Sequence, residues 1–171
     1  MPSNIRNLAI LAHIDAGKTT LSERILYLGK EISAVGEVED GLATMDYLSE
    51  EKKRGITIEA GVARIHWKKT QINFIDTPGH VDFGVEVDCA LDAIDGAILV
   101  VSGIRNLQTQ SFSAWNKLRK KKKPCLFFIN KLDLPDAQYE DVLLEIEDAL
   151  KIKPLILTHP HFENGMLHGI L

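Results

Sequence analysis

Three short segments of this 171-residue chain hold side chains whose types and spacing suit one shared chemistry, the binding of a phosphorylated ligand. The first is Ala12-His13-Ile14-Asp15-Ala16-Gly17-Lys18-Thr19. It has the spacing of a phosphate-binding loop, G-x-x-x-x-G-K-[ST], with Ala12 where the first glycine usually stands. Backbone N–H groups in such a loop, continued by a helix N-terminus, point at an anion. Lys18 is then placed to reach the β- and γ-phosphates, and the Thr19 hydroxyl to ligate Mg²⁺.

The second segment is Asp76-Thr77-Pro78-Gly79-His80, directly after an alternating run that includes Ile72 and Phe74. An Asp at the carboxyl end of a strand beside the phosphate loop can hold Mg²⁺, usually through water. Gly79 has no side chain to keep its N–H away from a γ-phosphate. The third is Asn130-Lys131-Leu132-Asp133, again after an apolar run. Asn130 can bond a purine edge, and the Lys131 stem can cover the ring. Asp133 can accept the two N–H donors that guanine presents and adenine lacks. A fourth residue, Thr57 in Arg54-Gly55-Ile56-Thr57-Ile58, closes a long polar stretch and can bring a second hydroxyl to the metal when a γ-phosphate is present. Each segment alone passes for a strand–turn–helix corner, a Pro-Gly turn or a polar loop. All three follow strand-like runs in the order that a nucleotide site at the carboxyl edge of a parallel sheet requires.

The elements that must position these residues alternate between short apolar runs and helical patterns, which predicts a parallel sheet covered by helices. Strands are expected at 8–12, 62–68, 71–75, 97–101 and 125–129, the first as a central strand and the last two as buried ones. The Lys69-Thr70 corner predicts an antiparallel hairpin. Helices are expected at 18–28, 85–94, 111–122 and 137–150, with a weaker helical stretch at 48–54 inside the polar segment 29–55. Residues 155–157 are β-prone and are expected to start one more strand. The run Arg119-Lys120-Lys121-Lys122-Lys123 reads as a helix C-terminus, where cations complement the dipole and Pro124 forces the stop.

The length suits one domain with a real core and is short for two. A net charge of −4 argues against a chain held to nucleic acid by bulk attraction alone. Cys89 and Cys125 stand singly among apolar residues, which predicts two buried thiols in a reducing compartment. No apolar signal core is seen at residues 1–7 and no stretch is long enough to span a bilayer, so a cytoplasmic location is expected. His159 and His161 are spaced like possible metal ligands but lack carboxylate or thiol support, and with His168 they read as surface residues.

With these motifs in hand, the chain resembles the G domain of translational GTPases, most like the elongation factor G family. The residues that carry the likeness are AHIDAGKTT from Ala12 to Thr20, GEVEDGLATMD from Gly36 to Asp46, RGITI from Arg54 to Ile58, DTPGH from Asp76 to His80 extended by Val81-Asp82-Phe83, and NKLD from Asn130 to Asp133. Ribosomal protection proteins and release factor 3 share much of the pattern. The resemblance implies an α/β P-loop fold, with a mostly parallel sheet, helices on both faces and one antiparallel hairpin. It implies GTP or GDP and Mg²⁺ as ligands, bound by Ala12 to Thr20, by Asp76 to His80 and by Asn130 to Asp133. Thr19, Thr57 and Asp76 would hold the metal. His80 is implied as the catalytic histidine that positions the attacking water, oriented by the sarcin-ricin loop of large-subunit ribosomal RNA. The ribosome is the expected partner, with no DNA and no membrane.

The chain departs from the family around Arg105 to Gln110, where an Asp-Gly pair usually precedes Q-x-Q, so this neighbourhood is expected to pack differently. The family also carries a later Ser-Ala loop, a final strand and a helix after an inserted subdomain. Residues 1–152 are therefore expected to form an incomplete GTP-binding domain. Residues 153–171 would begin the insertion or supply a substitute edge strand beside 125–129. On this reading the chain is an N-terminal fragment, inactive in isolation, of a GTPase that drives translocation. The competing classes are a module that binds nucleotide weakly without hydrolysis and a P-loop ATP kinase, the latter disfavoured by Asn130 and Asp133.

Overall fold

The computed structural model describes residues 4–34, 61–77, 84–105 and 107–171. The expected helical stretch at 48–54 lies outside them. In chain order the elements are β1 (Asn4–Ala12), α1 (Lys18–Leu28), β2 (Gly61–Trp67), β3 (Thr70–Asp76), α2 (Gly84–Ala93), β4 (Gly96–Ser102), α3 (Thr109–Lys120), β5 (Cys125–Asn130), α4 (Tyr139–Leu150), β6 (Pro160–Glu163) and β7 (Met166–Ile170). Five strands form one sheet in the order β2-β3-β1-β4-β5. β1 runs parallel to β3 and β4, and β4 parallel to β5, while β2 is antiparallel to β3. This is the expected mostly parallel sheet with one antiparallel hairpin, whose turn falls at Lys68, in the left-handed region at φ 54°.

β1 sits third of five, flanked on both edges, so its run Leu8-Ala9-Ile10-Leu11 is apolar throughout rather than alternating. Successive side chains serve opposite faces. Ala9 and Leu11 join Leu99 and Val101 under Leu91 of α2, Leu118 of α3 and Val142, Ile146 and Leu150 of α4. Ile10 and Val100 pack the other way, with Phe74, Ile65 and Leu26 of α1. Each large aliphatic side chain buried here stabilises the fold by roughly 1.5–3 kcal/mol relative to exposure. Among the described residues, three helices thus cover one face and α1 covers the other.

That asymmetry corrects one expectation. β5 lies last in the sheet order and is covered on one face rather than buried: Cys125, Phe127 and Ile129 pack under the three-helix face, while Leu126 and Phe128 on the α1 side are exposed. α1 packs against β1, β2 and β3, and no described helix covers that side of β5. The cysteine expectation also fails in part. Cys89 is exposed, and Cys125 is only partly covered, although burial pushes its thiol up to about 12.

The tail gives a third correction. Residues 155–157 form no strand and do not add to β5; Leu155, Ile156 and Leu157 are exposed. The strands lie further on, where β6 and β7 make a separate antiparallel pair around Asn164-Gly165. Both turn residues have positive φ, 51° and 77°, as a two-residue hairpin with matching twist requires. The pair is tied to the start of α4, where the Tyr139 and His159 rings meet edge to face at 5.1 Å.

The basic run, with Lys117 before it, is partly neutralised at α2 and the residue that follows it. Lys117 pairs with Asp88 at 3.0 Å, Lys121 with Asp92, and Lys123 donates to the Ile94 carbonyl at 2.6 Å. Arg119, Lys120 and Lys122 face solvent, in keeping with a helix C-terminus.

Candidate functional site

The parallel register brings three loops to one edge of the sheet. β1 ends at Ala12 and α1 begins at Lys18, so His13, Ile14, Asp15, Ala16 and Gly17 form the connecting loop. Two of them hold left-handed backbone, Asp15 at φ 62° and Gly17 at φ 93°. The first is unusual for a residue with a side chain, and such conformations gather at ligand sites. Ala16 N–H donates to the His13 carbonyl at 3.2 Å, which closes the turn. Gly17 caps α1 without a side-chain bond, and the first turn carries no acidic residue. The helix therefore offers its first N–H groups to an anion.

Lys18 is buried, and its ammonium lies 2.6 Å from Oδ1 of the fully buried Asp76. Asp76 ends β3 and pairs in register with Ile10 on β1 and Gly61 on β2. Thr77, also buried, donates its hydroxyl to the Ile10 carbonyl at 2.9 Å, fixing the chain as it leaves the strand. Thr19 is half-buried and Thr20 exposed.

The third loop closes on the first. Asn130 ends β5 and donates its amide to the Ala16 carbonyl at 2.9 Å. The fit is close enough that a Cβ on Gly17 would stand 2.2 Å from Asn130 Nδ2. Gly103 N–H donates to the Asn130 carbonyl at 2.7 Å, and Leu132 packs where a Gly103 Cβ would go. Lys131 holds φ 63°, and Asp133 is exposed at the loop's outer end, open to a ligand.

These observations test the implied ligands. An uncapped helix N-terminus beside a buried lysine fits a phosphate. A threonine hydroxyl and a buried carboxylate are hard oxygen donors of the kind Mg²⁺ takes, with the remaining positions left to water and phosphate. Among the described residues no group of three or more His, Cys, Asp or Glu could hold a metal by itself. Thr57, Pro78, Gly79 and His80 lie outside the described residues.

Two supports were not legible beforehand. His13 is buried, and its Nδ1 lies 3.4 Å from the Ser111 hydroxyl on α3. Burial, and then the cations Arg105 and Lys131, push the His13 pKa down against the opposing pull of Asp15. Glu145 on α4 accepts the Leu107 N–H at 2.8 Å and so fixes the loop leading into α3. Both contacts arise from packing between distant elements, and no local signal encodes them. The tail histidines are exposed as expected but have carboxylate company: His161 and His168 both reach Glu163, and His159 reaches Glu140.

A phosphate loop between the central strand and its helix, a buried carboxylate on the next strand, and an Asn-Lys-Leu-Asp loop define a P-loop α/β protein. The chain belongs to the elongation factor Tu GTP-binding domain family, whose sequence profile matches residues 3–164. It is 43% identical over 166 residues to a Drosophila melanogaster protein named ribosome-releasing factor 2, mitochondrial, covering 96% of this chain and 22% of that one. It is also 43% identical over 166 residues to elongation factor G of Salinibacter ruber, covering 97% of this chain and 24% of the relative. A crystal structure from Thermus thermophilus superimposes with a TM-score of 0.91 at 31% identity, covering 99% of this chain and 25% of that one. The chain thus spans about a quarter of the length of these relatives. Among the described residues no helix is long and apolar enough to cross a membrane.

Proposed function

We propose that the chain binds GTP and GDP with Mg²⁺ and hydrolyses GTP as the nucleotide-driven module of a translation factor of the elongation factor G type. The observation that carries this reading is the convergence of the three loops. Lys18 lies 2.6 Å from Asp76, and Asn130 lies 2.9 Å from the Ala16 carbonyl. The N–H groups around Gly17 and the Lys18 ammonium bind the β- and γ-phosphates. Thr19, Asp76 and Thr57 hold the metal, and Mg²⁺ when bound neutralises charge on the phosphate oxygens. Asn130 bonds the purine edge, the Lys131 stem covers the ring, and Asp133 accepts the guanine N–H pair. Ala12 to Thr20, Asp76 to His80 and Asn130 to Asp133 line the nucleotide. His80 positions the water that attacks the γ-phosphorus.

The ribosome is the proposed partner, and the sarcin-ricin loop of its large-subunit RNA is the element that orients His80. Residues 1–152 act as the nucleotide-binding unit, and 153–171, with the β6–β7 pair, open an inserted subdomain. The cytoplasm is the proposed location. A second reading has its own support: a relative named for ribosome release matches as well as one named elongation factor G, 43% in each case. The same GTPase chemistry would serve ribosome release instead of translocation. Ribosome-stimulated GTP turnover by the wild type and by His80→Ala tests the chemistry. The variant should keep its nucleotide affinity and lose about two orders of magnitude in turnover. Wild-type turnover in the variant would remove His80 from the mechanism.

A further inference from the structure

We propose that the tip of the β2–β3 hairpin is a second binding surface, which takes an unpaired nucleic-acid strand by stacking a base on Trp67 and seating phosphates on the cations around it. The surface lies apart from the nucleotide site: the length of β3 from Thr70 to Asp76, about 20 Å, separates them. Ile65 and Trp67 share the α1 face of β2, two positions apart. Ile65 is buried where the end of α1 lies against it, and a Cβ on Gly29 would stand 3.0 Å from its side chain. Trp67 lies one step beyond that contact, and its neighbours in register are the short side chains of Thr70 and Asn4. It is 53% exposed.

The strands hold this tip rigidly, so an aromatic side chain there loses little freedom on binding. β2 and β3 pair without a break from Gly61 and Asp76 to Trp67 and Thr70. Gln71 donates to Asn73 at 3.1 Å, and Asn73 donates to Asn7 on β1 at 2.7 Å. Charge selects the partner. The whole chain carries a net −4, yet residues 4–12 and 61–75 hold Arg6, Arg64, Lys68 and Lys69 and no Asp or Glu. All four cations are exposed, as is Lys30 beyond the end of α1. Carboxylates that reach these strands from outside are already engaged, Glu31 with His66 at 3.4 Å and Asp95 with the Asn7 N–H at 2.8 Å. A polycarboxylate would satisfy the cations alone. A nucleic-acid strand satisfies cations and indole together, since every nucleotide brings a phosphate and every base a π-face.

Trp115→Phe leaves Trp67 as the only tryptophan of the full chain, so its fluorescence reports this tip alone. Oligouridylate and oligothymidylate of about twelve nucleotides, added at low salt, are the probes, with oligoglutamate of similar length as the acidic-peptide comparison. Quenching by either oligonucleotide supports the surface, and the tighter of the two names its source. Trp67→Leu, followed through the anisotropy of a labelled oligonucleotide, should bind about five- to a hundred-fold more weakly. Lys68→Asn with Lys69→Gln removes two charges, and asparagine suits the φ of 54° at residue 68. That double variant should lower the slope of log affinity against log salt by about 1.4. Lys120→Gln with Lys122→Asn, at the end of α3, should leave the quenching unchanged. Unchanged affinity in both tip variants, no quenching by either oligonucleotide, or equal quenching by oligoglutamate would overturn the proposal. GTP and GDP enter none of these readouts, so the surface and the nucleotide reading stand or fall separately.

Discussion

Replacing Gly17 with Ala should destabilise the chain by an amount that can be worked out from two neighbours. At φ 93° the backbone of residue 17 is in the left-handed region, where a side chain costs about 1–2 kcal/mol. The new Cβ would also stand 2.2 Å from Asn130 Nδ2, closer than any real contact, so the Asn130 amide must turn away. It then gives up its 2.9 Å bond to the Ala16 carbonyl, worth about 1 kcal/mol. The sum is about 2–3 kcal/mol, measurable as a shift of the urea midpoint at unchanged slope. Thermal unfolding should shift by about 4–12 °C for a chain of this size. In an Asn130→Ala background the clash and the bond are both gone, and only the backbone cost should remain. The effect of Gly17→Ala should therefore shrink by about 1 kcal/mol. A variant within about 0.5 kcal/mol of wild type, or equal effects in both backgrounds, would show that neither the left-handed backbone nor the Asn130 contact constrains residue 17.

Two further outcomes are expected. Asp133→Asn should weaken GDP binding by about ten- to a hundred-fold, because one guanine N–H would face a donor; unchanged affinity in a fluorescence titration would remove this loop from base recognition. Stability should fall as the pH drops below about 6.5, because the unfolded chain protonates His13 while the buried, cation-flanked ring resists. In that window the unfolded state holds more protons, so the slope is positive in pH and at most about 1.4 kcal/mol per unit for this group. Urea titrations of wild type and His13→Gln at several pH values check it, and identical slopes would count against the assignment.

Much of the architecture was readable because its signals are local. The span of α1 from Lys18 to Leu28 and the carboxyl half of the strand before it follow from apolar spacing and a glycine at the joint, whereas Asn4–Asn7, polar but for Ile5, extend that strand beyond the apolar run. The loops at 12–18 and 130–133 were expected at strand ends, and the sheet places them side by side, with Asn130 bonded to Ala16. What failed depended on tertiary surroundings. Cys125-Leu126-Phe127-Phe128-Ile129 reads as a buried run, yet among the described residues only the three-helix side is covered. Leu155-Ile156-Leu157 is β-prone but finds no partner strand, while the stronger local signal, Asn164-Gly165, lay nine residues beyond Leu155 and specified the hairpin. The His13–Ser111 contact spans 98 positions and the Leu107–Glu145 contact 38, separations that no local pattern encodes.

Guanine-nucleotide recognition can be read from calorimetric titration of the full chain with GDP and then ADP, both in Mg²⁺. The two ligands share every phosphate and sugar atom, so any difference belongs to the base. A site that offers Asp133 to the guanine N–H pair should bind GDP at least about a hundred-fold more tightly than ADP, since adenine would leave that carboxylate facing no donor. Equal affinities for the two would exclude base recognition by Asp133.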